Sequence, residues 1–370
     1  MNHPAATSKH DTYATAAYRL QFLTPAFMGD ANQNGRWRTP PIKALLRQWW
    51  RVAYAADKQF AVCVDEMRHA EGMLFGHAWL ETDHDSSGYE ISARKSQLKL
   101  RIDHWNSGQL GQDQWPKDKI IKHPEVTNPI GSNLYLGYGP LTYDKHKRAS
   151  SLKANAAIQA GESAILSIAY PQTNAGLIVQ ALWLMHHYGT LGGRSRNGWG
   201  SFTLTADDDT LEPGAALHPR DWRQCLNTDW SWPHAIGQDD KGPLIWKTEA
   251  MPDWQAVMHH LAQLKIGLRT QFKFTTGKHA LHPEDRHWLS YPVTNHSVGV
   301  WVNNARLPNM LRFKVRPDAD NPSKLRGVIF HVPCLPPAEF KPEVRAIEDV
   351  WRQVHAYLDT SAQQLNRIPE

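Results

Sequence analysis

The stretch Gly189-Thr190-Leu191-Gly192-Gly193-Arg194-Ser195-Arg196-Asn197-Gly198-Trp199-Gly200-Ser201 constrains this chain more than any other. Five of its thirteen residues are glycine and two are arginine, so it forms a loop rather than a hydrophobic core. Leu177 to Met185 before it is apolar enough for a buried helix, and Ser201 to Thr205 after it alternates as a strand does. The order is helix, loop, strand. Phosphate loops of nucleotide-hydrolysing and dinucleotide-binding proteins run the other way, strand to helix, and no Gly-Lys-Ser/Thr is present. That class is set aside. A loop of this composition can still bring backbone N–H groups close to a phosphate, because Gly192, Gly193 and Gly198 lack the Cβ that blocks approach. Arg194 and Arg196 add forked cationic donors. A glycine-capped helix end accounts for one or two of the glycines, not for five.

A second basic feature lies upstream. Pro40 and Pro41 suit the first turn of a helix that Thr39 can cap. Ile42, Leu45, Leu46, Trp49 and Ala53 recur at three- and four-residue spacing and make its buried face. Lys43, Arg47 and Arg51 sit four apart on another face, which reads either as a phosphate-contacting stripe or as a solvated helix side. A third lies near the C-terminus. Leu311 to Arg316 alternates apolar with basic, so a strand there is expected to carry Arg312 and Lys314 on a cationic face. The formal net charge is only +5 over 370 residues, but residues 18–51 hold six Lys/Arg against one acid and residues 306–326 six against two. Basic stretches that coincide with the motifs are what a polyanion-binding surface predicts.

The glycine loop resembles that of the RAMP superfamily, the RNA-binding proteins of CRISPR systems. Tyr18-Arg19-Leu20-Gln21-Phe22-Leu23-Thr24-Pro25 with Gly29, followed by Pro41-Ile42-Lys43-Ala44-Leu45-Leu46-Arg47-Gln48-Trp49-Trp50-Arg51, is similar to the first-subunit family of the type III-B Cmr effector complex. The likeness covers most of residues 15–206 and thins beyond about 210. Asp30, Ala44 and Thr190 stand where that family carries glycines. The resemblance implies guide RNA, target RNA and other RAMP subunits as partners, and a position toward the guide 3′ end.

Strand, helix, strand, strand, helix, strand is the predicted order over 13–210, interrupted by an irregular insertion at 104–150. That is the ferredoxin-like, RNA-recognition-motif-like arrangement. Residues 211–370 are expected to repeat it in degenerate form, giving an α+β chain of two ferredoxin-like domains with long insertions. The boundary is set by Asp207–Asp209, Pro213 and Gly214, and 215–243 reads as a connector. Residues 1–12 read as disordered, with no hydrophobic segment for a signal peptide. No apolar run reaches the roughly 18 residues of a membrane span, and three scattered cysteines fit a reducing cytoplasm.

Signatures of catalysis are missing: no His-Glu-x-x-His, no Gly-x-Ser-x-Gly and no carboxylate cluster. No cofactor or metal is expected, since His186-His187 and His259-His260 are adjacent pairs on helices and point apart. Asp30 is the one candidate acid, because RNA-cleaving backbone subunits of the related complexes carry an aspartate in this loop. Three readings stay open. One is an RNA-binding structural subunit of a CRISPR effector complex, and a second is an endoribonuclease using Asp30 or a histidine. The third is a scaffold whose sixteen tryptophans serve protein interfaces.

Overall fold

A computed structural model describes residues 12–32, 34–146, 148–206, 216–227, 230, 232–302 and 304–368. The expectations for residues 1–11 and for the boundary residues 207–215 lie outside the described residues.

The first half contains β1 (Tyr13–Phe22), α1 (Thr39–Asp57), α2 (Val64–Phe75), β2 (Lys99–Ile102), β3 (Ser163–Pro171), α3 (Ala175–Tyr188) and β4 (Phe202–Thr205). Its sheet runs β4-β1-β3-β2 and every pairing is antiparallel. One face is buried because Tyr18, Leu20 and Phe22 alternate with exposed Arg19 and Gln21. Burial of a Leu or Phe side chain contributes about 1.5–3 kcal/mol, and that face is covered by α1 and α3, which pack on each other. The apolar face of α1 is the one its spacing predicts: Ile42, Leu45, Leu46, Trp49 and Ala53 are all buried. Its entry differs. Thr39 is already helical, and Arg38 takes the cap position in extended geometry without a side-chain capping bond; the two prolines fix the first turn.

The second half contains β5 (Ile245–Lys247), α4 (Trp254–Thr270), β6 (Leu311–Pro317), β7 (Leu325–His331), α5 (Val344–Asp359) and β8 (Asn366–Arg367). Its sheet runs β6-β7-β5-β8, again antiparallel. Counted from each half's first strand, both sheets read fourth-first-third-second. Asp253 starts α4 by accepting Ala256 N–H at 2.8 Å. The closing helix ends at Asp359, and the chain after it turns back to pair with β5.

The insertion at 104–150 is not structureless. It carries short paired strands and a helix, Ser132–Gly137, that packs on α4. Leu110, Trp115, Leu136 and Leu141 belong to the second half's core, and Ile245, Val328 and Phe330 join the first half's core. The two halves therefore bury apolar surface against each other as well as within themselves.

Candidate nucleic-acid interface

The glycine loop sits where the halves meet. Thr24 Oγ1 donates to Gly198 O at 2.8 Å and accepts Ser201 N–H at 3.0 Å, tying the loop to the end of β1. Phe313 N–H donates to Arg196 O at 3.0 Å, and Val315 N–H to Ser201 Oγ at 2.8 Å, tying it to β6. Trp199 is fully buried, with its ring 5.2 Å from Phe27, 5.7 Å from Trp115 and 5.8 Å from Trp254. It is a packing anchor, not a base-stacking platform.

This geometry corrects the reading of the glycines. Gly192, Gly198 and Gly200 have positive φ, and a Cβ on Gly200 would lie 1.8 Å from Leu191 O. A Cβ on Gly192 would meet Phe27 O at 2.7 Å. The close approach is to protein backbone. The N–H groups of Leu191, Gly193, Asn197, Gly198 and Gly200 already donate to protein carbonyls, Gly193 to Phe27 O among them. Gly192, Gly193 and Gly198 are thus architectural, and what the loop offers outward is Arg194 and Arg196, both exposed.

Those two arginines diverge. Arg194 takes a positive φ of 55° and its Nε donates to Tyr138 O at 2.5 Å. On that side Lys265 donates to Asn197 Oδ1 at 2.5 Å, and burial first, then Arg269 and Arg194, pull its pKa down to about 7. Arg196 faces the other way, toward Arg51 and Arg312, in a cavity of about 110 Å³ with Gln48, Trp49 and Trp232. Burial, then the Arg196 charge, holds the Arg312 guanidinium down to about 9.

The basic stripe on α1 is corrected as well. Glu71, on α2 and nearly buried, takes Arg47 Nη2 and Arg51 Nε, and accepts Arg51 Nη2 at 3.0 Å. Burial pushes that carboxyl up, but the arginine hydrogen bonds outweigh it and its pKa sits below the usual value. Lys43 Nζ donates to Phe75 O at 2.8 Å, capping α2. The stripe is therefore neither a free cationic face nor merely solvated: one carboxylate offsets one of its three charges, and Lys43 is held by the end of α2.

Lys314 departs furthest from expectation. It is fully buried, and its Nζ donates to Gly189 O at 2.7 Å, to Met185 O at 3.4 Å and to His186 O. These are the last carbonyls of α3, which a lysine from the other half caps. The alternation of β6 turns its basic side toward the helix end and the loop, not outward, so Lys314 has no path to RNA. Asp30 is engaged locally. Its Oδ1 accepts Asn32 N–H at 2.8 Å and Asn34 N–H at 3.0 Å, holding the loop that follows β1.

Glu71, Lys265, Arg269 and Trp232 escaped the sequence reading. Glu71 alone carried a signal: it lies four residues after Met67 and three before Leu74, an acid on the buried face of α2.

A RAMP superfamily model matches residues 19–203, from the first strand through the glycine loop. A crystal structure of Cmr1 from Pyrococcus furiosus, apo form, aligns over 92% of this chain and 96% of that one, at 13% identity and a TM-score of 0.42. So low a score carries no argument. A search of curated proteins returns no match. No helix among the described residues is long and apolar enough to cross a membrane.

Proposed function

Because this chain belongs to the RAMP superfamily, we propose that it is an RNA-binding structural subunit of a type III CRISPR ribonucleoprotein effector complex. The motifs of residues 18–51 favour the first subunit of the type III-B Cmr complex, partnered by other RAMP subunits, guide RNA and target RNA. Both halves are read as ferredoxin-like units on their shared strand order. One observation carries the RNA reading. The glycine loop places cations on both of its sides, Arg194 with Lys265 and Arg269 on one and Arg196 with Arg312 and Arg51 on the other. Such an arrangement grips backbone phosphates and leaves base identity unread. The endoribonuclease alternative is weakened by Asp30, whose carboxylate is already engaged with its own loop.

The test is RNA affinity against salt, measured by fluorescence anisotropy on single-stranded oligonucleotides. Log affinity should fall linearly with log salt, by about 0.7 per phosphate neutralised, with little dependence on sequence and no cleavage products. Salt-independent binding would support the scaffold reading instead. Specific products lost in Asp30→Ala would restore the enzyme.

A further inference from the structure

The cavity between α1, the glycine loop and β6 holds an electrostatic imbalance that the protein does not resolve by itself. Its charged walls are the guanidinium groups of Arg51, Arg196 and Arg312, and no carboxylate among the described residues lines it. Of these three, Glu71 compensates only Arg51, through Nε and one Nη, and it shares that charge with Arg47. Arg312 Nε is buried and has no hydrogen-bond partner among the described residues. Among the described residues the Cys334 thiol is also nearby, and burial pushes it up to about 12 and leaves it neutral. Arginine cannot escape burial by losing its proton. Two like charges at one cavity repel until an anion enters, and their planar forks match the oxygens of a tetrahedral oxyanion. Size narrows the choice further. At about 110 Å³ the cavity is well below the roughly 300–1,000 Å³ of sites that enclose drug-sized organic ligands.

We propose that this cavity binds one phosphate group, and that the bound phosphate ties the two halves together. Arg51 and Arg196 come from the first half and Arg312 from the second, so a single anion bridges them. The phosphate comes from RNA, as a backbone diester or a terminal monoester, where the RNA-binding reading holds; inorganic phosphate supplies the same chemistry without it.

Thermal unfolding of the full chain in inorganic phosphate, against chloride at matched ionic strength, tests the site. The wild-type Tm should climb with the logarithm of phosphate concentration. So should that of Arg352→Gln, a change at an exposed arginine paired with Asp349. The climb should vanish in Arg312→Gln and in Arg196→Gln, the second serving if the first does not fold. No climb in the wild type, or an equal climb in both arginine variants, overturns the proposal. Oligoribonucleotides with and without a terminal phosphate separate the sources. Tighter binding of the phosphorylated form, lost in Arg196→Gln, assigns a terminal monoester. Equal binding of both forms, with the salt slope of Arg196→Gln lower by about 0.7, assigns a backbone diester. RNA binding without a phosphate-dependent Tm sinks this site and leaves the RNA reading standing. A phosphate-dependent Tm without RNA binding does the reverse.

Discussion

Two pairs of arginines meet at α1, Arg51 reaching the cavity that holds the second pair, and they differ in one respect. Arg47 and Arg51 share Glu71, a carboxylate with 4% of its side chain exposed. Arg196 and Arg312 share a cavity that no carboxylate among the described residues lines. In sequence the two groups look alike, as basic residues in basic stretches. The difference teaches that a cation's function is set by its counter-ion, and the counter-ion comes from a distant segment. A third case marks the alternative. His331 and His355 are buried together, His331 Nδ1 to His355 Nε2 at 3.0 Å, without an ion pair, and escape the problem by staying neutral. Arginine lacks that exit, and the proposed phosphate would supply the counter-charge instead.

The largest effect that can break this comparison is expected from Glu71→Gln. Removing one partner of a buried charge pair costs about 3–5 kcal/mol. The lower end applies here because Arg47 is half-exposed and can turn to water. Chemical denaturation reads the loss, and an unchanged midpoint would mean that Glu71 does not organise the stripe.

Lys314→Met comes next. It strips the donor from the carbonyls that end α3, and unsatisfied buried groups cost about 1–3 kcal/mol each. The salt dependence of RNA binding should not move, and a reduced slope would return Lys314 to the RNA surface.

The neutral histidines predict a pH effect whose sign is fixed. Burial holds His355 at about 3 and His331 well below the ordinary histidine value of 6.5, so below pH 6.5 the unfolded chain binds more protons than the folded one. Stability is therefore full above that pH and drops as pH falls, by up to about 1.4 kcal/mol per unit for each histidine. His355→Phe should flatten the profile between pH 6.5 and 5; an unaltered profile would show that the histidine pair is not its source.

The smallest effect is the finest contrast. Arg312→Gln should lower the log–log salt slope of RNA binding by about 0.7, while Arg47→Gln, already spent on Glu71, should lower it by less. Equal slopes would erase the distinction between the two groups.

Much of the first half was legible because its elements are long and periodic. The alternation around Tyr18 and Leu20 and the stripe from Ile42 to Ala53 needed no tertiary information. β5 and β8 were not legible: three and two residues are too short to show a period. The insertion was obscure for the same reason, as its strands are two to four residues long and its core residues pack on a distant helix. At the site, residue type was readable but direction was not. The alternation of β6 gives Lys314 a face, and only the position of α3 makes that face the interior. The glycines were visible as a need for close approach, yet whether RNA or protein approaches depends on Phe27 and Leu191, which carry no mark of it.

The hydrogen bonds from β6 to the loop also impose a timetable on synthesis. Ser201 is complete long before Leu311 exists, and Phe313 and Val315 supply the backbone N–H groups that bond to the loop from β6. At about 5–20 residues per second, the roughly one hundred residues between them take on the order of ten seconds to emerge. Early in that interval the first sheet can form with its loop, Trp199 included, not yet covered by α4, and it stays uncovered by β6 to the end. A nascent chain arrested between the two halves should therefore be cut by protease at the glycine loop, and one arrested after β7 should resist.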